Sequence, residues 1–210
     1  MKEKKRITPM LSGNLIAEMP TFEDEATIDA VLLENEGLYE ADFHHLFIKE
    51  SHIKKFQMPA SRLSQFECVN VVFEHCDFSN SEWIGSGFHQ VEFRQCKLTG
   101  CNFAEAYLKD CLFSDCILDY ASFSMSTMKV VHFEESSLRQ AEFSELDWQH
   151  LKMKDCQLTQ SQWFNTPLKN LDFSENQFDT IALSPESIRG MIVNAEQALT
   201  IAETLGIILK

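Results

Sequence analysis

Cys101-Asn102-Phe103-Ala104-Glu105-Ala106-Tyr107-Leu108-Lys109-Asp110-Cys111-Leu112-Phe113-Ser114-Asp115-Cys116-Ile117-Leu118 is the stretch that decides the fold. Phe103, Leu108, Phe113 and Leu118 stand five residues apart, and two places before each is a small residue: Cys101, Ala106, Cys111 and Cys116. A period of five matches neither the 3.6-residue repeat of an α-helix nor the alternation of a flat strand. It requires a backbone that turns a corner every five residues and points two side chains inward along each side.

Outward from this stretch the register never slips. Every fifth residue from Leu38 to Ile188 is large and apolar except Cys68. The companion series is mostly small, with larger members at Phe56, Phe66, Leu146 and Leu151. Read every twenty residues, both series sort into columns. Cys76, Cys96, Cys116 and Cys156 share one with Ser136; Phe73, Phe93, Phe113 and Phe133 form another; Leu98, Leu118, Leu138 and Leu158 a third. Four segments of five therefore make one square turn, with like residues stacked on like. About seven and a half coils at the ~4.8 Å spacing of neighbouring strands give a rod of roughly 36 Å, near the length of about ten base pairs of B-form DNA.

Composition agrees. The 210 residues suit one domain, and 17 Phe against 7 Gly and 5 Pro leave few turn-formers for a sandwich of hairpins. A formal charge of −14 opposes direct nucleic-acid binding, which needs clustered Lys and Arg. An acidic surface can instead imitate nucleic acid, or simply keep the protein soluble. The basic N-terminus lacks the sustained apolar core of a signal peptide, and no stretch approaches a membrane span of ~20 apolar residues. Seven cysteines without an export signal point to a reducing, cytoplasmic setting.

The ends depart from the repeat. Residues 1–37 fit it poorly and read as a cap or imperfect first coil, with a short helix over Glu23 to Glu34 as an alternative. The β-helix occupies 38–190, and 191–210 hold a helix and an apolar tail. Asn194 followed by Gln197 resembles a capping box, and a helix from Ala195 to Leu205 puts Ala198, Leu199, Ala202 and Leu205 on one face. Gly206 suits the left-handed position that closes a helix. With Ile207, Ile208 and Leu209 beyond it, this end predicts a homodimer joined through the C-terminal coils.

Six of the seven cysteines fall on the small inward position and Cys68 on the large one, so packing explains them without a metal or redox role. All seven histidines fall on outward positions without paired spacing. Asp115, Glu135, Asp155 and Glu175 recur every twenty residues and predict an acidic ladder along one side, available to basic groups of a partner. Lys109, Lys129 and Arg189 share a different column. Ile84, Tyr107, Tyr120, Met125 and Phe164 are outward apolar candidates for contact. No phosphate loop, Ser/His/Asp set or nucleotide fingerprint occurs. The expectation is a protein that is not an enzyme, with no catalytic residues, no cofactor and no metal.

The chain resembles the pentapeptide-repeat proteins, whose loose motif is a small residue, Asp or Asn, then Leu or Phe and two variable positions. Ala41-Asp42-Phe43, Cys101-Asn102-Phe103, Ala121-Ser122-Phe123 and Ala141-Glu142-Phe143 carry the likeness. The resemblance implies an all-β solenoid, a right-handed quadrilateral β-helix, here with a short C-terminal α-helix. Within the family the chain is similar to the Qnr and MfpA group. Tyr107 to Phe113, Ala121-Ser122-Phe123 and the closing Leu205-Gly206-Ile207 are especially like the chromosomal Qnr of enterococci. That likeness implies a dimeric DNA mimic that binds DNA gyrase or topoisomerase IV and protects it from quinolones. The uninterrupted register lacks the two loops of plasmid-borne Qnr proteins. A binding scaffold for another protein, such as a regulator or toxin-immunity protein, is the alternative.

Overall fold

The computed structural model describes residues 4–208. Its strands are β1 (Thr27–Asp29), β2 (Leu32–Glu34), β3 (Asp42–His44), β4 (Phe47–Lys49), β5 (His52–Lys54), β6 (Arg62–Ser64), β7 (Glu67–Glu74), β8 (Gly87–Arg94), β9 (Tyr107–Ser114), β10 (Thr127–Glu134), β11 (Asp147–Lys154), β12 (Ser161–Trp163) and β13 (Ile181–Leu183), followed by α1 (Ala195–Thr204). Strand pairing is parallel, and residues pair with those twenty further on, as in Phe93↔Phe113↔Phe133↔Met153. The molecule is a right-handed quadrilateral β-helix.

The corners explain the period. Every fifth residue from Glu25 to Asn170, with Gly85 and Gly100 among them, has φ between 47 and 67°. This left-handed conformation reverses the chain locally, so two side chains per segment point in and three point out. It costs an L-residue ~1–2 kcal/mol, which the continuous ladder and core offset. Gly100 has a second reason to lack a side chain: an added Cβ would come within 2.5 Å of Asn80 Oδ1 on the coil below.

Inside, the aromatic rings stack coil upon coil. Phe93, Phe113 and Phe133 lie 4.9 and 4.8 Å apart and nearly parallel. Phe103, Phe123, Phe143 and Trp163 continue a second stack at 4.9, 5.2 and 4.2 Å. The two stacks meet edge to face, as Phe103 and Phe113 do at 6.1 Å. Offset-parallel and edge-on rings are the arrangements their quadrupoles favour. The small inward series also satisfies backbone acceptors: the Cys76 and Cys116 thiols donate to the carbonyls of Ile53 and Phe93, and the Ser136 hydroxyl to Phe113 O. Asn176 fills the same position, donating from Nδ2 to Met153 O and accepting from Cys156 N.

At the N-terminal end β1 and β2 pair with β4 and β5 at the same twenty-residue offset, so regular coil begins ahead of residue 38. These are strands, and the alternative helix over Glu23 to Glu34 does not form. The residues before them do something else: from Lys4 to Asn14 the chain runs across the outside of several coils before Ile16 bridges to Val31. Trp148 keeps the large register but is only partly buried, its indole N–H donating to Pro167 O at 2.7 Å. At the other end α1 has the full capping box, with Asn194 Oδ1 accepting from Gln197 N and Gln197 Oε1 from Asn194 N. It ends at Thr204, one residue short of the sequence expectation, with Gly206 at φ 83°.

Candidate functional surfaces

The acidic ladder forms as a column. Asp115, Glu135 and Asp155 are exposed corner residues with φ of 53, 50 and 54°. Asp115 N donates to Glu134 O and Glu135 N to Lys154 O, so backbone bonds tie successive rungs together. Glu175 is exposed too but lies beyond the last left-handed corner of the run. The like charges therefore stand about one strand spacing apart, ~4.8 Å, and repel. Lys154, whose Nζ lies 3.8 Å from Asp155 Oδ2, relieves part of this.

Charge is unevenly distributed around the square. Exposed Glu105 and Glu145 lie on the corner diagonally opposite the ladder, separated by Met125. Between these two corners runs a column in which Lys109 pairs in register with His89 and Lys129, and Lys169 and Arg189 follow beyond Gln149. Lys129 Nζ also lies 5.4 Å from the Tyr107 ring centroid. Ile84, Tyr107, Tyr120, Met125 and Phe164 are all exposed. A surface cleft of about 580 Å³ is lined by Tyr120, Gln140, Glu142, Gln160, Gln162 and Thr204, among others.

The seven cysteines are buried free thiols. Burial pushes Cys111 up to about 12 and Cys156 to about 11, so they stay neutral and unreactive at physiological pH. Among the described residues no group of three or more His, Cys, Asp or Glu side chains could hold a metal ion. No helix among them is long and apolar enough to cross a membrane.

At the C-terminal end the buried face of α1 is the one the sequence did not mark. Gln197 and Ile201 turn inward, and Gln197 Nε2 donates to Phe173 O and Asn176 O of the last coil. Ala198 and Leu199 face solvent, and Ala202 and Leu205 are half-buried. Leu199 is 54% exposed, Ile207 54% and Ile208 86%. Leu209 lies outside the described residues.

The feature missed altogether is the N-terminal strap. Arg6 Nη2 lies 2.6 Å from Glu92 Oε1, Ile7 N donates to Asp110 Oδ1 at 3.1 Å, and Met10 N to Asn70 Oδ1 at 3.1 Å. Glu92 and Asp110 are outward residues in the repeat, yet 1% and 0% exposed. Their outward neighbours Val72 and Val130 are buried as well. Apolar residues at outward positions, Val72 one coil before Glu92 and Val130 one coil after Asp110, were the signal available in the sequence.

Residues 67–103 match the family model described as pentapeptide repeats (8 copies), and residues 86–163 that described as a pentapeptide repeat region. Among solved structures the chain is similar to full-length QnrB1, described as a plasmid-mediated fluoroquinolone resistance protein (18% identity, 87% of this chain, 100% of that chain, TM-score 0.35). It is similar to HetL of the cyanobacterium Nostoc sp., described as involved in heterocyst differentiation regulation (11% identity, 80% of this chain, 85% of that chain, TM-score 0.27). A pentapeptide repeat protein from the Arabidopsis thaliana thylakoid lumen is a third (22% identity, 61% of this chain, 83% of that chain, TM-score 0.31). Comparison with curated proteins gives no match.

Proposed function

Because residues 67–163 carry the repeats of the pentapeptide-repeat family and the chain folds as their β-helix, we propose that this protein is a non-enzymatic binding rod. Its partner is a bacterial type II topoisomerase, DNA gyrase or topoisomerase IV, which it protects from quinolones by occupying the DNA-binding surface. The observation that carries this reading is the exposed, register-locked column of Asp115, Glu135 and Asp155 on a chain of formal charge −14. Carboxylates repeated along a straight rod present basic protein groups with the kind of regular negative charge a phosphate backbone offers. The sequence likeness to the Qnr and MfpA group, described above, supplies the choice of partner.

Leu199, Ile207 and Ile208 support the dimeric part of the reading, since an exposed apolar end of a solenoid calls for a cap or a partner. Replacing Leu199 and Ile207 with Arg is expected to halve the mass measured by sedimentation equilibrium. An unchanged mass would contradict the assignment. For the ladder, the test is capture of gyrase by the immobilised protein and by the variant Asp115→Lys, Glu135→Lys, Asp155→Lys, Glu175→Lys. The variant is expected to lose at least tenfold in affinity at low salt; undiminished capture would show that another side makes the contact. The basic column of Lys109 and Lys129 favours a second reading, a scaffold for a different protein partner with acidic groups of its own.

A further inference from the structure

The N-terminal strap points to a second binding surface, on the side of the square that the acidic ladder borders, and independent of the topoisomerase reading. Among the described residues the polar contacts of residues 6–10 are one ion pair to Glu92 and two backbone N–H groups on the side chains of Asp110 and Asn70. Ile7 is 51% and Met10 67% exposed, whereas Pro9 and Leu11 are half-buried. Glu92 does not depend on Arg6 alone, since Arg94 Nε donates to its Oε2 at 2.9 Å. If Arg6 leaves, the carboxylate keeps a cationic partner.

The fit beneath the strap is also incomplete. Among the described residues Asp110 Oδ2 and Arg6 Nη1 are buried without hydrogen-bond partners. Buried polar atoms are nearly always satisfied, so the present occupant fits this corner imperfectly: its Arg6 Nη1 donor and the Asp110 Oδ2 acceptor do not meet. Beside it lies a cleft of about 480 Å³ lined by Lys4, Lys5, Arg6, Leu112, His132 and Glu134, among others.

We infer that this corner is a docking groove for a basic, extended segment of a partner protein, and that the chain's own Lys4-Lys5-Arg6-Ile7 segment occupies it in cis until displaced. The charge of the groove, the extended form of the present occupant and the unfilled acceptor on Asp110 define the ligand. It is a peptide strand that places an Arg on Glu92 and a further N–H donor on Asp110.

Two readouts on the full-length protein test this. A fluorescent peptide of residues 4–13 is titrated by anisotropy into wild type and into Arg6→Glu, and hydrogen exchange is followed at the amides of Ile7, Met10 and Phe113. In Arg6→Glu the Ile7 and Met10 amides are expected to exchange at least tenfold faster while Phe113 is unchanged. The peptide is expected to bind the variant at least tenfold more tightly than wild type, and a peptide carrying Glu at the Arg6 position to bind neither. Arg6→Ala, which adds no carboxylate beside Glu92, should shift both readouts in the same direction, so the proposal stays testable if Arg6→Glu perturbs folding. Equal binding to wild type and variant, binding to neither, or unchanged exchange at Ile7 and Met10 would overturn the proposal. So would conversion of a dimer to a monomer by Arg6→Glu, which would place a second copy's N-terminus in the groove.

Discussion

At the scale of the residue, the two inward positions and the corner follow different rules. Buried thiols act as small apolar groups that also donate to carbonyls of the coil below, as Cys116 does to Phe93 O. Thiols in an unfolded chain ionise near 9, whereas Cys156 and Cys111 stay neutral until about 11 and about 12. Above pH 9 the unfolded chain therefore releases protons that the folded chain keeps. Stability from these groups is intact below that pH and falls as pH rises through the window, by up to ~1.4 kcal/mol per pH unit for each thiol. Urea unfolding between pH 8 and 11 should show a falling midpoint, and a thiol reagent at pH 8 should label the protein only on unfolding. Rapid labelling of the folded protein would contradict the packing account. The corners predict the opposite kind of gain. Glu135 adopts a left-handed conformation between like charges, so Glu135→Asn, better suited to that φ and uncharged, should stabilise the fold by about 0.5 kcal/mol. A lower unfolding midpoint would argue against it.

At the scale of the element, the inward columns were legible because stacking tolerates no slip: Phe93 on Phe113 on Phe133 admits no polar substitute and no insertion. The corner conformation was not, since Asp115, Tyr120, Met125 and Val130 share the same φ with no common chemistry. There the ladder imposes the conformation, and residue preference is overridden. The N-terminal coil was obscured for a similar reason, because Thr27–Asp29 and Leu32–Glu34 are recognised by the strands they pair with more than by their own pattern. The helix was found through its capping box, but its docked face was missed because a glutamine anchors it. Gln197 donates to the Asn176 carbonyl, which the last coil leaves without a backbone donor, and to the Phe173 carbonyl, which also accepts from Asn176 N. Gln197→Ala should therefore cost about 2 kcal/mol, more than the ~1 kcal/mol lost with the Asn194→Ala cap. Equal losses by urea unfolding would mean that α1 is held by its cap and Ile201 alone.

At the scale of the whole molecule, a rod with a closed interior presents edges and faces, and its charge is patterned around the square. The ladder's spacing was legible in the sequence because it shares the twenty-residue period of the core. The strap was not, because it crosses that period and its anchors, Arg6 with Glu92 and Ile7 with Asp110, are 86 and 103 residues apart. Under the proposed function, the acidic ladder, the basic column beside it and the exposed apolar end are the protein's docking features. The most direct test is gyrase supercoiling at an inhibitory concentration of ciprofloxacin, titrated with the wild-type protein and with the variant reversing Asp115, Glu135, Asp155 and Glu175 to Lys. Wild type is expected to restore supercoiling at low protein concentration, with the variant shifted at least tenfold higher. No restoration by wild type, with no inhibition of drug-free gyrase at high concentration, would contradict the topoisomerase reading.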